Sequence, residues 1–568
     1  MVKGWQWRVL AGAVLLAACG TKTKETPHST WQQPPGGEAG APAGGNHDTD
    51  AAGQGGSLPG PDGGAAGDAG AGGVGGLLCD DACLANRPPV WIVYGEHDVY
   101  GVTSDRLGKM EPVDLSPALS SDEEVSELGN WSPDGSAVVL ITQAPVLDPA
   151  GGPDFVDSTA YLLRFTDGSP AAPLQVAHGG SFGLADFTWS PSGKTLLFSH
   201  AGRLYAISPA ATQSAPPTQI SVEGRTAQRS WFKGDDEVVY LARDQASKID
   251  AVLVVQQGDA WEAKSITHDL GIGGTSSLSD VIATRDLSEL YYPAVNKAGL
   301  LALWSVQTSE NSEQHQLVSP AQDLAFRLSP DNEQYLLATS DAKSHKTSIF
   351  GGAISSLGDP VLLADNLELT ARSSLGSVSG TWSNDSRHAL AFEFEAGSIH
   401  PALYQVSAAN PWQRLPLTPA DSQAVPTWSP DSKALAIARV AGGTKKAPSL
   451  FTSAGSQQLD LDSASATGGL DLMQFSPSGD FLVYADRSAP HESQSFHYLD
   501  IRRGLAAAKA PTAVQAEYFT PDFASDGTRL VYVNQDDCFF LDLAKASAPT
   551  AVASSSGAYA CSIQKLPE

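Results

Sequence analysis

The sequence predicts an all-β fold in which small sheets repeat along most of the chain. Three observations predict it. A turn signature of an aromatic residue, Ser, Pro, Asp or Ser, and Gly recurs many times after residue 130. Each copy leads into a short apolar run rich in β-branched and aromatic residues. The copies are spaced by roughly 42 to 58 residues, a period that suits a four-stranded unit, and helical periodicity is scarce.

Four copies are strong. Trp131-Ser132-Pro133-Asp134-Gly135 leads into Ala137 to Ile141, and Trp189-Ser190-Pro191-Ser192-Gly193 into Thr195 to Phe198. Trp428-Ser429-Pro430-Asp431-Ser432 leads into Ala434 to Ala438, and Phe475-Ser476-Pro477-Ser478-Gly479 into Phe481 to Tyr484. Weaker copies begin at Leu328-Ser329-Pro330-Asp331, Trp382-Ser383-Asn384-Asp385 and Phe523-Ala524-Ser525-Asp526-Gly527, with degenerate ones at Trp231-Phe232 and Arg285-Asp286. The aromatic residue ends an inner strand and fills the gap to the next sheet. Pro presets φ, Asp or Ser accepts hydrogen bonds from the turn, and Gly tolerates positive φ. A further run follows, as in Arg203 to Ile207 or His497 to Ile501, and an outer one, as in Pro360 to Leu363. Four strands per unit make each unit the blade of a β-propeller. A generic β-sandwich does not account for one turn signature at a steady period.

This repeat resembles the TolB-type propeller repeat and is similar in architecture to WD repeats. The likeness covers most of residues 88–568. TolB proteins carry a small α/β domain ahead of the propeller, where this chain has a low-complexity stretch, so the resemblance implies a fold and no partner. Val90 to Tyr94 and Asp98 to Val102 read as the second and third strands of a blade lacking its inner strand, and Ala558 to Ile563 is a lone strand at the far end. The expectation is that the C-terminal strand completes the N-terminal blade and removes the open sheet edges. With that composite blade the count is about ten, above the usual four to eight, and one large ring is favoured over two.

The first 18 residues read as a targeting segment. Lys3 and Arg8 precede an apolar run, Val9 to Ala18, too short to span a bilayer. Leu16-Ala17-Ala18-Cys19-Gly20 closely resembles the bacterial lipobox. That resemblance implies a lipid on Cys19, with Gly20 favouring the outer membrane and leaving the membrane face open. Residues 19–87 are dominated by Gly, Ala, Pro, Asp and Ser and hold too few large apolar side chains to offset the entropy of ordering. A flexible tether of about 55 residues has a root-mean-square span of about 40 Å.

An exported chain tends to pair its thiols. Apart from Cys19, the cysteines are Cys79, Cys83, Cys538 and Cys561, which allow three pairings. The preferred one joins Cys79 with Cys83 and Cys538 with Cys561; cross-pairing of the two ends is the rival. The Cys79–Cys83 spacing lacks the companion ligands of a zinc site, and no metal or cofactor is expected. A formal charge of −28 repels phosphate backbones and anionic headgroups, which excludes nucleic acid as a partner and adhesion through a basic face.

No catalytic constellation is visible. Gly179-Gly180-Ser181-Phe182-Gly183 matches the serine-hydrolase pattern but sits between two β-runs rather than on a strand-to-helix elbow. The histidines are scattered, and Asp460 and Asp462 read as an acidic strand face rather than a calcium site. The expected function is a protein-binding or scaffolding module in the cell envelope, its partner another envelope protein or a peptide. The alternatives are a propeller hydrolase or lyase on peptides or sugars, with its site in the central channel, and a display protein with no small ligand. The sequence sets no oligomeric state.

Overall fold

The architecture is taken from a computed structural model, which describes residues 89–565 apart from several loop segments. Cys19, Cys79, Cys83, Ser181 and Asp462 lie outside the described residues. The described strands form ten antiparallel sheets in chain order. Blade 1 holds Trp91–Gly95, Val99–Thr103, Val113–Asp114 and, as its inner strand, the C-terminal Ala560–Ile563. The inner strands of the next five blades are Glu124–Trp131, Phe187–Trp189, Thr226–Phe232, Ile282–Ala283 and Asp323–Leu328. Those of blades 8, 9 and 10 are Pro426–Trp428, Gly469–Phe475 and Asp522–Phe523.

Blade 7 differs. Its sheet has three strands, His388–Glu395, Ser398–Gln405 and Gln413–Leu415. Among the described residues the inner position holds one bridge, Trp382 to Ala389, preceded by a short helix, Ala371–Leu375. Ala371 and Leu375 are buried between blades 6 and 7.

Among the described residues, ten hydrophobic clusters show how the blades are arranged. Each draws its side chains from two consecutive blades: Val138 and Leu140 of blade 2 pack with Trp91 and Val93 of blade 1, and Leu390 of blade 7 with Trp428 and Leu435 of blade 8. The series ends with Ala524 and Val531 of blade 10 against Ile92, Tyr94 and Ile563 of blade 1. Ten blades joined at ten consecutive junctions, the last returning to the first, are one closed ring. Each blade is covered on both faces, so its middle strands read as unbroken apolar runs such as Val238-Val239-Tyr240-Leu241-Ala242.

Closure is the arrangement expected from the half-blade at the N-terminus. Ile563 pairs with Ile92, Ser562 with Val93, Cys561 with Tyr94 and Ala560 with Gly95. Cys538 is bonded to Cys561, with Cα atoms 5.9 Å apart. Cys538 lies on the third strand of blade 10 and Cys561 on the inner strand of blade 1, so the disulfide crosses the seam. This is the preferred pairing of those two cysteines, and it locks the ring without the N-terminal pair.

The repeat motif explains the turns. Trp131, Trp189, Trp382, Trp428, Phe475 and Phe523 are buried where the first strand of each blade ends. The serine that follows does more than the sequence reading assigned to it. Ser132 Oγ accepts the Ala137 N–H (2.9 Å) and donates to Asp134 (2.5 Å), which also accepts the Ser136 N–H (3.0 Å). The same pair of bonds joins Ser429 to Ala434 and Asp431, and Ser383 to His388 and Asp385. Gly135, Gly193, Gly479 and Gly527 hold φ between 64° and 78°. Neighbouring turns also touch: the Ser192 N–H reaches Asp235 (3.0 Å) and the Asp385 N–H reaches Ser432 Oγ (2.9 Å), so part of this face is a belt of linked turns.

Candidate functional site

The face opposite the signature turns carries the connections from the outer strand of one blade to the inner strand of the next. Loops on a rigid scaffold commonly carry recognition. On the inner strands, polar side chains divide into two sets with different work.

The first set builds the ring. Glu127 of blade 2 accepts the Leu184 N–H at 2.6 Å, just before the inner strand of blade 3. Asp323 of blade 6 accepts the Ala371 N–H at 2.9 Å, before blade 7. Asp522 of blade 10 accepts the Ile563 N–H at 3.0 Å and the Ser562 hydroxyl at 2.5 Å, on the closing strand. Each carboxylate satisfies backbone or hydroxyl donors of the next blade. These acids are therefore engaged in ring assembly.

The second set lines a recess of about 160 Å³ between blades 3 and 4, bounded by their inner strands and by the second and third strands of blade 3. Its polar groups are Asp186, Thr188, Ser199, Gln228, Arg229 and Ser230, over a floor of Leu197, Leu204 and Ala227. The strand Thr226–Phe232 is bulged between Ala227 and Arg229, which places the extra residue, Gln228, out of the ladder and exposed. The Arg229 guanidinium lies 4.9 Å from the Trp231 ring centroid and donates to the Val281 carbonyl at 2.9 Å. Asp186 accepts the Gly183 N–H at 2.9 Å. The recess thus offers an anchored cation, a carboxylate, an amide and three hydroxyls, a set able to orient a polar chain.

The Gly179 to Gly183 segment precedes this recess. It follows the strand Ser169–His178 and leads into a single 3₁₀ turn, Leu184–Asp186, before Phe187–Trp189. The turn forms because Asp186 and Glu127 satisfy its leading N–H groups. The Leu459-Asp460 step falls on the strand Gln458–Asp460, outermost in blade 8. Among the described residues, no cluster of His, Cys, Asp and Glu has the grouping of a metal site, and no helix is long and apolar enough to cross a membrane.

One strongly engaged carboxylate escaped the sequence reading. Asp250, at the start of the third strand of blade 4, has a side chain 6% exposed. It pairs with Arg225, accepts the Asp269 N–H at 2.7 Å and lies 3.2 Å from His268 Nδ1. Burial on its own raises the pKa of this carboxyl. The Asp269 N–H, the His268 hydrogen bond and the Arg225 charge outweigh that and hold it below the ordinary value.

No protein-family model matches the chain, and no curated protein matches it. Solved structures do. The chain is similar to a eukaryotic initiation factor, with a TM-score of 0.48 and 12% identity over 84% of this chain and 100% of that one. It is similar to TolB from Acinetobacter baumannii, at 0.27 and 13% over 57% and 80%. It is also similar to an oligogalacturonate lyase in complex with manganese, at 0.34 and 11% over 73% and 96%. No functional residue is carried over from any of them.

Proposed function

We propose that this chain is an exported lipoprotein, anchored to the outer membrane through Cys19, whose propeller recognises an envelope protein or peptide. The recess between blades 3 and 4 carries the reading. It combines polar groups of both signs with an apolar floor, the composition expected where a scaffold fixes the orientation of a partner. The charge of −28 favours partner segments that are basic or polar. The Gly- and Ala-rich segment after Cys19 supplies the tether.

The test has two parts. A photo-crosslinking residue at Gln228 is expected to capture a partner in intact cells, whereas the same residue at Leu362 on the outer strand of blade 6 is expected to capture none. Equal capture at both positions, or at neither, contradicts the assignment of the recess. Cys19→Ser is expected to move the protein from the membrane fraction to the soluble fraction, and unchanged fractionation contradicts the anchor.

A further inference from the structure

We propose that Ser265, His268 and Asp250, at the rim between blades 4 and 5, form an acyl-accepting site in which Ser265 is the nucleophile and esters are the substrate class. The inference stands apart from the recognition reading and does not use the recess.

The geometry is that of a relay. His268 Nε2 lies 3.3 Å from Ser265 Oγ, and its Nδ1 lies 3.2 Å from Asp250 Oδ2. One ring nitrogen faces a hydroxyl while the other faces a carboxylate, the division of labour that activates a serine. A carboxylate on Nδ1 holds the N–H there and leaves the Nε2 lone pair free to take the hydroxyl proton. Asp250 suits that positioning role because Arg225 and the Asp269 N–H keep it ionised in a buried place.

The local chain explains why these residues meet. Ser265 and His268 are three apart, and on a regular strand they would face opposite sides. The register is shifted here: Ser265 pairs with Val252, but Thr267 pairs with Ala251, so Ile266 is an inserted residue. One extra residue restores the parity and turns Ser265, His268 and the Asp250 position toward one side. Asp269, next in line, holds φ at 52° and turns the chain so that its N–H meets Asp250.

Blade 5 clamps the same segment. Gln314 Nε2 donates to the His268 carbonyl (3.2 Å), and Gln314 Oε1 accepts the hydroxyl of the buried Tyr292 (2.8 Å). The Asn311 N–H donates to the Ser265 carbonyl (3.0 Å). The backbone on both sides of the imidazole is therefore fixed, while the His268 side chain is 69% exposed and open to a substrate from solvent. That openness selects accessible acyl esters rather than a threaded peptide.

The step balances with water as the sole co-reactant. Ser265 Oγ bonds to the ester carbonyl carbon and its proton passes to His268 Nε2. The carbon–oxygen bond to the leaving alcohol breaks, and the imidazolium returns the proton to that oxygen. Water then attacks the acyl-serine by the same path and releases the acid.

The full-length protein is treated with a fluorophosphonate and its intact mass recorded over time. One adduct per chain is expected, mapped to Ser265 by peptide sequencing. It is expected to vanish in Ser265→Ala, to form at least about tenfold more slowly in His268→Asn, in keeping with loss of a general base, and to be unchanged in Ser181→Ala. Each variant is paired with a thermal melt, and the exposed position of His268 keeps that variant folded. Absence of any adduct on the folded wild type, an adduct that persists in Ser265→Ala, or equal rates in wild type and His268→Asn would each overturn the proposal.

Discussion

Ser562→Ala is the most informative single change at the ring seam. Ser562 is buried on the closing strand, and its hydroxyl joins three blades. It accepts the Trp131 Nε1–H of blade 2 at 3.0 Å and donates to Asp522 of blade 10 at 2.5 Å. Alanine fits the strand but leaves the buried Trp131 indole N–H without its acceptor, at about 1–3 kcal/mol. Asp522 retains Ile563 and Lys565 as partners, so losing the charge-assisted bond adds only about 1 kcal/mol. The sum is about 2–4 kcal/mol. A cooperative ring of roughly 480 residues has an unfolding entropy near 1 kcal/mol/K, so Tm falls by about 2–4 °C. Calorimetry without reductant, which keeps Cys538 bonded to Cys561, measures this directly. Amide exchange in Trp91–Gly95 should accelerate in the same variant, because that strand pairs with the altered one. A melting temperature within half a degree of wild type, together with unchanged exchange, would refute the seam described here.

Three further outcomes follow from the same contacts. Reducing the Cys538–Cys561 bond, which spans 23 residues, should cost about 3 kcal/mol in the chain-entropy model and be non-additive with Ser562→Ala, because Cys561 adjoins that serine; the combined melt checks both. Ser429→Ala removes the acceptor of the buried Ala434 N–H and should cost about 1–3 kcal/mol, whereas the change at exposed Ser356 should cost almost nothing. Asp250→Asn should destabilise the protein at neutral pH. The folded-state pKa of Asp250 is depressed, so its stabilisation is present above the unfolded value near 3.9 and is lost as pH falls through the lower folded value. Melts of wild type and variant should therefore converge in strong acid, and a constant gap down to that range contradicts the assignment.

The fold was legible because a tight turn places strict demands on residue type at fixed offsets. Trp131 to Gly135 and its strong copies announce both a strand end and a strand start, and the half-blade at Val90 announced the need for a closing strand. Blade 5 was harder to read because Thr284 Oγ1 takes the place of serine, accepting the Glu289 N–H at 3.0 Å, and Leu287 holds φ at 50° where blades 2, 3, 9 and 10 have glycine. The helix in blade 7 left no signature, since Ala371, Ser374 and Leu375 are buried by neighbouring sheets rather than by a periodicity of their own. The cysteine pairing depended on which blades meet at the seam, a tertiary fact. Ser265, His268 and Asp250 were invisible for a geometric reason: a bulge at Ile266 changes which residues share a side, and the carboxylate comes from another strand. Gln228 is hidden in the same way by the bulge in its strand.

A face-on view of single particles by electron microscopy tests the ring itself. The ten junctions predict ten blades around one axial opening. A pair of smaller rings, or one ring with fewer blades and extra density outside it, would contradict the closed circuit on which the seam, the recess and the rim site all depend.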